Sequence, residues 1–122
     1  MFVEDAMTTD LVTCDREVTL RTAVEGMLRN HVGSTIVMDD AVPTGIVTET
    51  DVLHAGYVTD EPLSEIPVER VMSSPLITVT PEKSLRHATK QLQAQNVKKL
   101  VVVEDMELVG IITSDDITHN YH

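Results

Sequence analysis

Gly45-Ile46-Val47-Thr48-Glu49-Thr50-Asp51 recurs 65 residues later as Gly110-Ile111-Ile112-Thr113-Ser114-Asp115-Asp116. Outward from this pair, Val3 to His54 aligns without a gap on Val68 to His119, and 17 of the 52 aligned pairs are identical. Ordinary composition gives roughly three or four such matches, so the chain contains a duplicated unit. Met7 and Met72, Leu20 and Leu85, Ala23 and Ala88, and Val32 and Val97 are among the matching pairs. The stretch from Ala55 to Pro67 has no counterpart and carries Gly56, Pro62 and Pro67. The chain therefore divides into one repeat over 1–56, a linker over 57–67 and a second repeat over 68–122.

Composition narrows the class. The chain has 122 residues, 20 Asp and Glu against nine Lys and Arg, and a formal net charge of -11. At this size a core can form without a metal or disulfide, and the single cysteine has no internal partner. Clustered cations are too few for a phosphate backbone, which argues against nucleic acid as a partner. No cleavable apolar leader or long apolar run is evident, which points away from secretion and the membrane and toward the cytoplasm. The acidic surface itself needs no more explanation than solubility.

Periodicity switches in the same order within each copy. Leu11-Val12-Thr13-Cys14 and Leu76-Ile77-Thr78-Val79 read as short extended runs. Leu20, Ala23, Val24, Met27 and Leu28 then fall at helical spacing behind Thr19 as a cap. Leu85, Ala88 and Leu92 follow Ser84 in the same way. Thr35 to Met38 and Leu100 to Val103 are continuous apolar strands, each followed by an acidic turn, a strand through Gly45 or Gly110, and a closing helix. The expected fold is α/β (α+β), with two β-α-β-β-α units packed about a pseudo-two-fold axis. About 50 residues make a poor core alone, so the copies are expected to pack together, with a ligand cleft between them.

The Val-x-x-Met-Thr/Ser openings (Val3 to Thr8, Val68 to Ser73), the stretch Val97-Lys98-Lys99-Leu100-Val101-Val102-Val103 and the doubled Gly-x-x-Thr-x-x-Asp endings resemble the cystathionine beta-synthase (CBS) domain. Two in tandem resemble a Bateman module, and the likeness runs from Val3 to His119. It implies a non-enzymatic regulatory module that senses an adenosine-containing ligand (AMP, ADP, ATP or S-adenosylmethionine) between its repeats. It also implies a homodimer acting on some regulated protein. A dimeric scaffold with vestigial clefts is the alternative.

Carried over by residue, the resemblance makes Asp51 and Asp116 the carboxylates that accept ribose hydroxyls, and Thr48 and Thr113 donors to ribose or phosphate. Thr-x-x-Asp is equally a capping box, and the same residues can do both. Thr13, Cys14 and Asp15 would line adenine at the Asp116 site, and Thr78, Val79 and Thr80 would do so at the Asp51 site. Cys14 also reads as a small buried apolar residue, as Val79 does in the other copy. Lys98 and Lys99 sit where related modules bind phosphate, whereas the first copy has Gly33 and Ser34, so the two sites should differ. Thr50 keeps a hydroxyl beside its acid. Asp115 replaces one, and its charge opposes a triphosphate, favouring AMP, adenosine or the cationic S-adenosylmethionine. His54, His119 and His122 lack the company a zinc site needs, so no metal is expected. No nucleophile and base stand together to support an enzyme.

Overall fold

A computed structural model describes residues 1–120. The continuous apolar runs of the sequence form the middle strands of two small sheets. In one, β1 (Thr13–Asp15) pairs in parallel with β2 (Ser34–Asp39), which pairs antiparallel with β3 (Val42–Thr48). In the other, β4 (Thr78–Val79), β5 (Lys99–Glu104) and β6 (Glu107–Thr113) repeat that order. The register slips at Val37/Met38 and again at Val102/Val103, the same place in each copy. Helices α2 (Leu20–Asn30) and α5 (Leu85–Gln95) follow the first strands, and α3 (Glu49–Thr59) and α6 (Ser114–Asn120) follow the last. The β-α-β-β-α order expected of each copy is present, in a mixed α+β architecture.

Two one-turn helices, α1 (Val3–Ala6) and α4 (Val68–Val71), add to it at the openings, and a 3-10 turn covers Leu63–Glu65. These openings are exchanged. Residues 1–11 form a compact unit with those from Ile77 onward, while Val12–Leu76 form the other. In the first unit Val3 is fully buried among Val79, Leu85, Leu100 and Ile112. Its N–H donates to the Lys83 carbonyl at 2.8 Å, and Leu85 N–H donates to the Met1 carbonyl at 3.1 Å. In the second unit Val68 is buried among Leu20, Val37 and Val47, with Val68 N–H on the Val18 carbonyl at 2.9 Å and Leu20 N–H on Ile66 at 2.8 Å. Burying each such side chain contributes about 1.5–3 kcal/mol.

The helix stripes follow the expected spacing with two differences. Leu20, Ala23 and Met27 are buried, and so are Leu85, Ala88 and Leu92 at the matching positions. Leu28 is 71% exposed. At about 100° per residue it lies roughly 80° from Leu20, on the side away from Ala23, and so falls off the covered face. Ser84 accepts a cap bond from His87 N–H at 3.0 Å, as expected. Thr19 makes no side-chain cap bond, although its backbone setting matches that of Ser84: the Leu20 amide goes to the Ile66 carbonyl as the Leu85 amide goes to that of Met1.

The exchanged openings explain why glycine stands in the repeated heptad. Thr8 exchanges backbone hydrogen bonds with Ile111 at 2.8 and 2.9 Å, and Ser73 with Ile46 at 2.9 and 3.1 Å. This lays Met7 across Gly110 and Met72 across Gly45. A Cβ on Gly45 would lie 2.5 Å from Met72 Sδ; one on Gly110 would lie 2.7 Å from Met7 Sδ and 3.1 Å from the Thr8 carbonyl oxygen. The far end of each methionine can swing away, but an anchored atom also stands at 3.1 Å in both places, Met72 Cβ over Gly45 and the Thr8 carbonyl oxygen over Gly110. Gly45→Ala and Gly110→Ala should therefore each cost about 1–3 kcal/mol in urea unfolding. Adding Met7→Ala should restore only part of the Gly110→Ala loss. Full restoration would show that the backbone approach is unimportant.

Candidate functional site

Both copies build the same junction where the last strand enters the last helix. Thr48 is the N-cap of α3, in extended conformation. Its Oγ1 accepts from Asp51 N–H at 3.2 Å, and Asp51 Oδ2 accepts from Thr48 N–H at 2.9 Å. Thr113 and Asp116 repeat the pair at 3.1 and 2.9 Å. This is the reciprocal capping box, which satisfies two amides that a helix start leaves open. Each carboxylate uses Oδ2 in that bond; among the described residues no hydrogen bond falls on Oδ1 of either. Asp51 and Asp116 are half-buried, and Thr50 and Asp115 are exposed beside them.

The start of each middle strand closes the junction from the side. Lys99 lies opposite Thr113 in the antiparallel register, and the Lys98 carbonyl accepts from Ser114 N–H at 2.9 Å. Lys98, Lys99, Thr113, Asp115 and Asp116 thus gather at one end of one sheet. In the first copy Ser34 lies opposite Thr48, and the Gly33 carbonyl accepts from Glu49 N–H at 3.1 Å. The Glu49 side chain lies over Gly33, with Oε1 3.1 Å from where a Cβ would be. One junction therefore carries two lysines beside a serine, and the other an acid lying over a glycine. Glu49 escaped the sequence reading, although its alignment with Ser114 opposite Gly33 and Lys98 marks the exchange of charge.

The expected adenine-lining residues lie across the sheets. Thr13 is level with Ile36 and, beyond it, Ile46; Thr78 is level with Val101 and Ile111. Two strand spacings, about 10 Å, separate each from the strand that ends in its own unit's threonine and acid. Thr13 and Cys14 share a unit with Thr48, Thr50 and Asp51; Thr78, Val79 and Thr80 share one with Asp116. Burial pushes the Cys14 thiol up, so it stays protonated and packs partly against the core. Val79 is buried in the core. Thr80 donates to Glu82 Oε1 at 2.7 Å, which holds that carboxyl below its usual range. Thr78 remains exposed.

His54 and His119 are exposed, and His122 lies outside the described residues. Among the described residues no three His, Cys, Asp or Glu side chains group as metal ligands, and no helix is long and apolar enough to cross a membrane.

Known proteins resemble this chain over most of its length. The CBS domain-containing protein YhcV of Bacillus subtilis is 29% identical over 118 residues, covering 97% of this chain and 84% of its own length. A homoserine O-acetyltransferase of Methanosalsum zhilinae is 28% identical over 117 residues, 94% of this chain but only 23% of that enzyme. Among solved structures, the CBS domain pair of protein MJ0100, in complex with 5′-methylthioadenosine and S-adenosyl-L-methionine, superposes with a TM-score of 0.86. It is 21% identical, and the match covers 98% of this chain and 94% of that one. The CBS domain profile matches residues 3–57 and again 68–122. The chain belongs to the CBS domain family, with two CBS domains in tandem.

Proposed function

We propose that this CBS pair is a non-enzymatic regulatory module that binds an adenosine-containing ligand, with Asp116 and Asp51 each holding a ribose. The observation that carries the reading is the doubled junction. Each aspartate is oriented by a backbone amide through one oxygen and leaves the other without a protein partner among the described residues. A carboxylate so placed can accept a ribose hydroxyl, and charge-assisted bonds of this kind contribute about 1.5–3 kcal/mol. MJ0100, a fold neighbour, was solved with two adenosine-containing molecules, which supports the same ligand class here.

The two sites are not equal in this reading. Lys98 and Lys99 supply positive charge at the Asp116 junction, suited to one phosphate, while Asp115 opposes a longer chain of charge. Glu49 leaves the Asp51 junction acidic and better suited to adenosine or the sulfonium of S-adenosylmethionine. Thr13, Cys14, Thr78, Val79 and Thr80 line the adenine, and the module works as a homodimer whose orientation a regulated protein reads. Coupling between ligand and partner would typically be 1–3 kcal/mol.

One rival reading has an observation behind it. Each Thr and Asp pair already forms a complete capping box without a ligand, and α3 exposes Leu53, Tyr57 and Val58. That combination suits a dimeric scaffold with vestigial clefts. Calorimetry separates the two readings, since a scaffold gives no heat with adenosine, AMP, ADP, ATP or S-adenosylmethionine.

Asp116→Asn and Asp51→Asn keep an acceptor for the threonine amide but remove the charge. Each should weaken binding at its own site about 10- to 100-fold while the chain stays folded. Parent-like affinity for every ligand in both variants would refute the ribose assignment. Separately, Lys98→Gln with Lys99→Gln should weaken AMP roughly tenfold and leave adenosine nearly unchanged. Equal loss of both ligands would mean that the lysines act on packing and not on phosphate.

A further inference from the structure

Three apolar side chains of the first copy stand in solvent on its two long helices. Leu28 on α2 is 71% exposed, and Leu53 and Tyr57 on α3 are 74% and 90% exposed. The second copy shows how such positions lie. There Gln93 and Thr118, aligned with Leu28 and Leu53, line one groove of about 310 Å³ between α5 and α6, together with Leu92 and Ile117. By the repeat, Leu28 and Leu53 flank the corresponding groove between α2 and α3, with half-buried Val24 where the second copy has Thr89. One face is thus polar in the second copy and apolar in the first.

Gly56 lies about 60° around α3 from Leu53, on the side that carries Val52, the counterpart of groove-lining Ile117. A Cβ added to Gly56 would meet no atom within 4 Å among the described residues. Glycine inside a helix destabilises it relative to alanine, and no contact among the described residues calls for one here. A projecting ring at Tyr57 and open space over Gly56 make one patch both knob and hole, as a two-fold interface between identical surfaces requires. Leu28, Leu53 and Tyr57 together expose on the order of 500 Å². That is close to the apolar part of the roughly 800 Å² per partner in a standard interface, homodimers being about 65% apolar. Area and self-complementarity both fit a second copy of this chain.

We propose that two copies of the chain pair through this first-copy face alone, α2 and α3 of one protomer against α2 and α3 of its partner, each Tyr57 ring lying over the partner's Gly56. The inference rests on the homodimer reading above and adds which surfaces meet: first copy to first copy, with the polar groove between α5 and α6 left outside. Removing the three apolar side chains from water drives the pairing, and Gln93 and Thr118 give the second copy no comparable drive.

Sedimentation equilibrium of the full chain and its surface variants is the test. The parent should be dimeric. Leu53→Asp and Tyr57→Asp should each weaken the dimer at least about 100-fold. Gly56→Leu, whose Cβ meets no obstacle among the described residues, should weaken it at least about tenfold while the far-UV circular dichroism stays that of the parent. Gln93→Asp with Thr118→Asp should leave the dimer unchanged. A parent dimer that survives the first-copy substitutions would overturn this face and leave the homodimer reading standing. Equal loss in the Gln93→Asp, Thr118→Asp chain would overturn the first-to-first arrangement, because pairing of a first copy on a second needs both faces. A monomeric parent would overturn both readings and leave the face to a different protein.

Discussion

A pair of reciprocal hydrogen bonds, threonine hydroxyl to aspartate amide and threonine amide to aspartate carboxylate, holds each strand-to-helix junction. The two proposed ribose-binding carboxylates are oriented by it. The bonds fix the backbone where the sheet hands over to the helix and set the aspartate rotamer. They also bring the start of the middle strand alongside through the Gly33 or Lys98 carbonyl. The exchanged opening segments brace the same strand one turn earlier, which is why a glycine precedes each threonine by three residues. Capping and ligand binding are compatible uses of one carboxylate because they call on different oxygens.

Much of this was legible because it is local. The capping box is written in four consecutive residues, Ser84 announces its helix, and the burial of Leu20, Ala23 and Met27 follows from a 3.6-residue period. What could not be read depends on contacts distant in sequence. The apolar Val3 and Val68 advertise burial but not the unit that buries them, so the exchange of openings has no local signature. The same non-local pairing puts the Leu20 amide on the Ile66 carbonyl and the Leu85 amide on that of Met1, bonds that no short stretch of sequence announces. Leu28 fits an apolar pattern and still faces solvent, since pattern alone does not set how wide a covered stripe is.

Duplication gave two copies of one backbone, and the differences between them are mostly differences of charge. Glu49 over Gly33 in the first copy answers to Ser114 beside Lys98 in the second. Glu25 and Val18 answer to Lys90 and Lys83. All four lysines thus lie in the second copy, on a chain that otherwise repels anions. Identical folding instructions have been kept at both junctions while their electrostatics have diverged.

Crystals grown with AMP put the ribose assignment to its most direct trial. The account predicts ribose density with a hydroxyl within about 3 Å of Asp116 Oδ1, the Thr113 amide still on Oδ2, and the phosphate toward Lys98 and Lys99. Nucleotide bound with its ribose away from both Asp116 and Asp51, or an empty chain at saturating AMP beside an equally empty one with S-adenosylmethionine, would contradict it.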